Sequence, residues 1–234
     1  MGENMEGFGR DYIRSLTVKI ITRIVAVYLI MCLMFFLPAG TFSYWQAWAY
    51  MISIAVPMTV FGIYMLKHNP KFIERRLRTD EKREQQKLIQ RLGILPFFIA
   101  FTLPGFDIRF GWSRMPAYIS IAGLVVVLAG YLATLYVFIV NSYASRVVDV
   151  EKGQTVISTG PYSMVRHPMY ICIIIFYLST CIALGSYWAV IPASALIPVL
   201  VFRIIDEEKE LLENLEGYKA YTEKVRYRLI PYIW

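Results

Sequence analysis

The chain has 234 residues, the length of one domain. Hydrophobic residues make up 57% against 18% charged, with mean hydropathy +0.50, which excludes an ordinary soluble globular protein and points to a membrane protein. The net charge of +7 does not indicate a nucleic-acid partner, because the basic residues flank apolar runs in the manner of a cytoplasmic membrane face.

Residues 1–17 are polar, with glycines at positions 2, 7 and 9, and read as a loose or interfacial leader. Charges of both signs precede a long apolar run, which argues against a cleavable signal peptide. That run is expected to be a retained first span over 18–37, near the ~20 residues a bilayer needs. Pro38, Ala39 and Gly40 mark a turn, and Tyr44, Trp45 and Trp48 suit an aromatic belt at the far interface. A second span over 45–66 contains Pro57, a point of kinking that neighbouring helices tolerate.

Residues 67–91 carry nine Lys/Arg and four Asp/Glu, with good helix formers and no glycine, and predict a surface helix. His68, beside Asn69 and Pro70, reads as a helix-end residue. A third span over 88–103 is short and interrupted by Pro96, followed by a loop over 104–116. The fourth span, 117–140, has Gly123 and Gly130 where another helix can approach closely.

A polar segment of about 27 residues, 141–167, is long enough to be functional. Two apolar stretches follow, 169–183 and 188–202, with only four residues between them, which predicts an antiparallel hairpin bent in its second arm by Pro192 and Pro198. Beyond Arg203 charge returns. Apolar residues at 204, 205, 211, 212 and 215 form a helical stripe, and Gly217 is a natural stop.

The expected fold is therefore an all-α, polytopic membrane bundle of five to six spans. Basic residues number four in 1–23, nine in 67–91, three in 141–168 and six in 203–234, against only Arg109 and Arg114 in the opposite connections. This bias puts both termini and the polar segments on the cytoplasmic side. Cys32, Cys172 and Cys181 lie in apolar runs without a CxxC pair, and the two histidines are far apart, so no metal site is indicated.

The chemistry-bearing stretch is GPYSMVRHPMY, residues 160–170. Proline holds a helical φ and lacks an N–H, so Pro168 suits the first position of a helix entering the membrane. Arg166 and His167 then stand at its N-terminal lip, where unsatisfied N–H groups favour anions. Arg166 adds a planar fork matched to carboxylate or phosphate. By charge and position alone the same pair also suits simple anchoring at the headgroups. Glu207 and Glu208 follow the hairpin and return to the same face, where a solvated helix start is the plainer reading.

The string GPY, a hydrophobic step, then RHPMY resembles the signature of the isoprenylcysteine carboxyl methyltransferase family, with its phospholipid methyltransferase relatives. The resemblance extends upstream through NSYASRVVDVEKGQTVISTGPY and downstream through DEEKELL and YKAYTEKVRYRLIPYIW, covering 141–234. It implies a C-terminal methyltransferase core, 141–234, behind an N-terminal set of membrane helices, 1–140. It further implies S-adenosylmethionine as cofactor, in a cytoplasmic-face pocket lined by Gln154, Val156, Gly160, Tyr162, His167, Pro168 and Tyr170. Gln154 stands where many relatives have histidine. Arg166 and one of Glu207 and Glu208 would be essential. An essential basic residue shortly after a tyrosine corresponds to Lys224, Arg226 or Arg228 following Tyr221, a group that would contact the acceptor.

No GxGxxG follows a strand, which sets this chain apart from soluble Rossmann methyltransferases. The expected acceptor is lipophilic. A carboxylate, as in a prenylcysteine, is already ionised and needs no base, whereas a lipid amine must lose a proton, to Glu207 or Glu208. The ending YRLIPYIW with an RHP motif is also similar to NADPH-dependent membrane sterol reductases, although the lead-in to RHP suits the methyltransferases better. A transporter or scaffold is disfavoured, since no predicted span carries a charge well inside its apolar run.

Overall fold

A computed structural model describes residues 9–234, which form helices joined by loops, with no strand among the described residues. In chain order come α1 (Arg10–Ala39), α2 (Trp45–His68), the short α3 (Pro70–Leu77), α4 (Glu84–Phe110) and α5 (Ala117–Val140). After the polar segment follow α6 (Pro168–Ala183), α7 (Val190–Ser194), α8 (Leu196–Asn214) and α9 (Tyr218–Lys224). α1, α2, α4 and α5 are long and apolar enough to cross a membrane, and α6 is a shorter apolar helix. The fold is the all-α polytopic bundle that the hydropathy predicts.

Its outer surface is as apolar as its interior, the condition for a lipid solvent: Leu37 is 73% exposed and Val60 63%. Contact between helices is then decided by shape. A Cβ on Gly123 would lie 2.6 Å from the Ala183 nitrogen, so α5 and α6 meet there backbone to backbone. Gly105 does the same between α4 and α1, where a Cβ would lie 2.7 Å from the Phe35 carbonyl oxygen. Around these approaches Phe35, Tyr50, Phe101 and Phe97 pack edge-on or stacked in the centre of the bundle.

Several boundaries differ from the sequence reading. Residues 1–8 of the expected leader lie outside the described residues, and Arg10 to Thr17 already belong to α1. The charged connection over 67–91 is not one helix. α2 continues to His68, Asn69 caps α3 by accepting from the Phe72 N–H at 3.1 Å, and residues 78–83 are irregular. α4 runs straight through Pro96 and Pro104, which shortens the expected loop over 104–116 to 111–116. Each proline costs one backbone bond, and packing against α1, α7 and α8 holds the helix through both.

That extension also buries a charge. Asp107, expected in a loop, is fully buried near the end of α4, where it accepts from the Ser113 N–H and hydroxyl and from the Ser186 hydroxyl. It pins the turn between α6 and α7 to α4. The hairpin's second arm is split at Ala195, and Pro192 and Pro198 each fall in the first turn of a piece, where the missing N–H has no partner to lose.

The charged segments gather at one end of the bundle. Arg75 reaches Glu151 at 2.8 Å and Arg78 reaches Asp149 at 3.1 Å. The Glu81 carboxylate accepts from the Val148 N–H, and Arg83 pairs with Asp206 and Glu210 on α8. α3, the start of α4, the polar segment and the end of α8 thereby form one polar cap over the helices.

Candidate active site

Pro168 opens α6, with His167 at the N-cap, so the Arg166 and His167 side chains are delivered to the point where α6 meets the cap. α8 leaves its apolar half at Arg203 and carries Glu207 and Glu208 one turn later. Adjacent residues on a helix point about 100° apart, and these two divide accordingly.

Glu208 turns inward and is 4% exposed. One oxygen accepts from Arg166 Nε at 2.6 Å and from His167 Nε2 at 3.3 Å, while the other accepts from Arg228 Nε at 2.6 Å. Arg166 Nη1 donates to the Val225 and Arg226 carbonyls, both at 2.8 Å. The backbones join as well: the Arg166 N–H donates to the Tyr227 carbonyl and the His167 N–H to the Arg228 carbonyl, each at 2.9 Å. One buried carboxylate thus ties the RHP loop, α8 and the C-terminal segment together. Burial alone would raise the pKa of Glu208. The hydrogen bonds from His167, Arg166 and Arg228 outweigh it and hold the group down to about 2.

Glu207 faces the other way, into a cleft of about 100 Å³ between the polar segment and α8–α9. The Tyr170 hydroxyl donates to Glu207 Oε2 at 2.5 Å and accepts from Arg203 Nε at 2.9 Å. The Tyr162 hydroxyl accepts from Asn141 Nδ2 at 3.0 Å, and the Tyr162 carbonyl accepts from the Tyr221 hydroxyl at 2.7 Å. The Tyr218 hydroxyl is buried in the cleft wall with no partner among the described residues. Burial raises the phenols of Tyr162 and Tyr218, with Glu208 and Glu207 adding to the rise at Tyr218, and pushes Tyr221 up to about 12. All three stay protonated donors at neutral pH.

Of the residues singled out in the sequence, Gln154, Val156, Tyr162, Arg166, His167, Tyr170, Glu207 and Tyr221 line this cleft. Gly160, at φ +57, and Pro168 shape the backbone beside it. Glu208 and Arg228 stand behind the wall, and Lys224 and Arg226 are exposed side chains outside it, with only the Arg226 carbonyl engaged. The sequence reading passed over Asn141, Arg203 and Tyr218. Arg203 carries a usable signal, since it lies four residues before Glu207 and so shares its helix face.

A second opening, a groove of about 430 Å³ between α4, α6 and α8, runs alongside. It is walled by apolar residues such as Ile94, Phe98 and Leu200, and it meets the cleft at Ser145, Met169, Tyr170 and Arg203. Ile94 and Phe98 are exposed on the outer face of the bundle, so the groove opens toward the lipid side.

Residues 118–219 match the family model described as phospholipid methyltransferase. This stretch runs from α5 to α9 and holds most of the cleft wall. No match was found among curated proteins. The family match supports a membrane methyltransferase.

Proposed function

We propose that this chain transfers a methyl group from S-adenosylmethionine to a lipid acceptor that enters from the bilayer. The observation that carries the reading is the junction at Tyr170 and Arg203, where the polar cleft meets the lipid-facing groove. A polar cofactor and a lipophilic acceptor each have their own entrance, and the two meet beside Glu207.

The cleft residues fit the cofactor. The unpartnered Tyr218 hydroxyl is a donor in want of an acceptor, and Gln154 and Asn141 offer further polar groups. The faces of Tyr162, Tyr218 and Tyr221, together with Glu207, suit a sulfonium cation. When bound, S-adenosylmethionine supplies an electrophilic methyl group. The chain's own residues then position the acceptor and keep water out.

An amine on the lipid headgroup is the favoured acceptor. The observation behind this is Glu207, a carboxylate facing the cleft that can take the proton an ammonium must lose. Glu208 is unsuited to that role, because it stands behind the wall and Arg166, His167 and Arg228 already occupy both its oxygens. The carboxylate of a prenylcysteine-like acceptor is the second reading, and Arg203 at the junction favours it, since its guanidinium matches a carboxylate. We further propose that the polar cap faces the cytoplasm, on the strength of the basic-residue bias.

The test uses the purified full-length chain in detergent. S-adenosylhomocysteine should raise the melting temperature, by mass action on the folded state, and NADPH should not. Labelled methyl should pass from S-adenosylmethionine to an aminophospholipid in preference to a prenylcysteine analogue. A melting shift with NADPH alone would replace this reading with a reductase.

A further inference from the structure

Three arginines from three different elements line the groove near its junction with the cleft: Arg76 on α3, Arg146 in the polar segment and Arg203 on α8. Among the described residues none of them forms an ion pair. Arg203 spends its donors on the Tyr170 hydroxyl and the Arg146 carbonyl, at 2.9 and 2.7 Å. Arg76 has its guanidinium 4.6 Å from the centre of the Phe138 ring. Burial pushes Arg76 down to about 10, and the neighbouring Arg203 and Arg146 add to the fall. Elsewhere in the polar cap the arginines are matched: Arg75, Arg78, Arg83, Arg166 and Arg228 each hold a carboxylate. Glu207, bridged to Arg203 through the Tyr170 hydroxyl, supports Arg203 from the cleft side. Arg76 and Arg146 hold no carboxylate among the described residues, and like charges gathered there favour an added anion.

We propose that Arg76, Arg146 and Arg203 form a subsite for the phosphate of a membrane phospholipid, with its chains in the groove between α4, α6 and α8. The proposal rests on reading the cleft as the methyl-transfer site and adds the residues that recognise the acceptor. A phosphate offers oxygens in several directions, which suits guanidinium groups arriving from separate elements better than a planar carboxylate does. Apolar walls continue from the cluster toward the lipid side, as a headgroup with attached chains requires. Glu207 stands one turn beyond Arg203 on the cleft side, so the positive and negative groups run in the order that a phosphate followed by an ammonium would need.

The probe is a short-chain phosphatidylethanolamine with a fluorescent acyl group, titrated onto the full chain in detergent micelles and followed by anisotropy. Arg146→Gln and Arg76→Gln should each weaken its binding about tenfold, the loss of a hydrogen bond to a charged group. An alkylamine of matched chain length without phosphate should bind both variants as it binds wild type. Arg146 is exposed, so its replacement spares the fold and keeps the test valid if Arg76→Gln melts early. Wild-type binding of the phospholipid by a folded Arg146→Gln protein would overturn the subsite. So would full displacement of the probe by inorganic phosphate, which would make this a site for the free ion. A prenylcysteine probe losing as much affinity as the phospholipid would also overturn it. S-adenosylhomocysteine binding, measured on the same samples, separates the two claims. Arginine-dependent lipid binding without it keeps the subsite and removes the methyl-transfer reading.

Discussion

Arg166 and Glu208 lie 42 residues apart in the chain and 2.6 Å apart in the structure, both nearly excluded from solvent. Their pairing sets the distance between the start of α6 and the middle of α8, and the whole cleft hangs on that distance.

Glu208→Gln should therefore act on folding first. Removing the charge leaves Arg166 and Arg228 buried or half-buried without their anion, a loss of about 3–5 kcal/mol for a broken buried pair. A thermal melt should show a large drop in midpoint, with S-adenosylhomocysteine restoring part of it.

The same carboxylate predicts an acid response. Its pKa is about 2 in the folded chain against an ordinary 4.5, so its contribution is present above the unfolded value and is lost as pH falls from 4.5 toward 2. The full effect is about 3 kcal/mol. Melting temperatures of the wild type should fall across that window, and those of Glu208→Gln should fall less.

Arg166→Lys keeps the charge but not the fork. A lysine reaches Glu208 or the Val225 and Arg226 carbonyls, but not all three together. We expect a stability loss of about 1.5–3 kcal/mol and a matching fall in methyl transfer. Wild-type turnover and melting in this variant would reduce Arg166 to a headgroup anchor.

Tyr218→Phe separates a ligand contact from a structural one. Because the hydroxyl has no partner, its removal should leave the melting temperature of the ligand-free chain unchanged or slightly higher. Affinity for S-adenosylhomocysteine should drop several-fold, in line with a neutral hydrogen bond of about 0.5–1.5 kcal/mol. Unchanged affinity would remove this hydroxyl from the ligand's contacts.

Gly123→Ala tests the α5–α6 seam. The added methyl would sit 2.6 Å from a backbone nitrogen that cannot swing aside, so the helices must part. A marked loss of thermal stability is expected, while Gly130→Ala, with its nearest atom at 3.5 Å, should be tolerated.

Helices dominated by apolar periodicity were legible in the sequence, as were the hairpin and the end at which basic residues collect. Their limits were not. Pro96 and Pro104 signal breaks locally, yet α4 continues because flanking helices support it, and no local rule carries that information. The cleft was legible where residues sit in one string, 154–170, and at Glu207. The division of labour between Glu207 and Glu208 was not, since DEEKE reads as surface until α8 is placed against the RHP loop. Tyr218, Arg76 and Arg146 were invisible for a related reason. A missing partner is a property of three-dimensional surroundings, and no spacing in the sequence encodes it.

The two openings differ in where their walls are encoded. The family match spans 118–219 and holds most of the cleft, whereas the α4 side of the groove, with Ile94 and Phe98, lies upstream of it. Under the proposed function, the α4 wall for the acceptor's chains and the transfer chemistry are then inherited on separate stretches of the gene, while Arg146 and Arg203 travel with the cofactor's contacts. Mutations in the segment encoding α4 alter which lipid is admitted without touching the cofactor's contacts. A chimaera carrying another chain's first four helices would change its diet of lipids and keep its methyl donor.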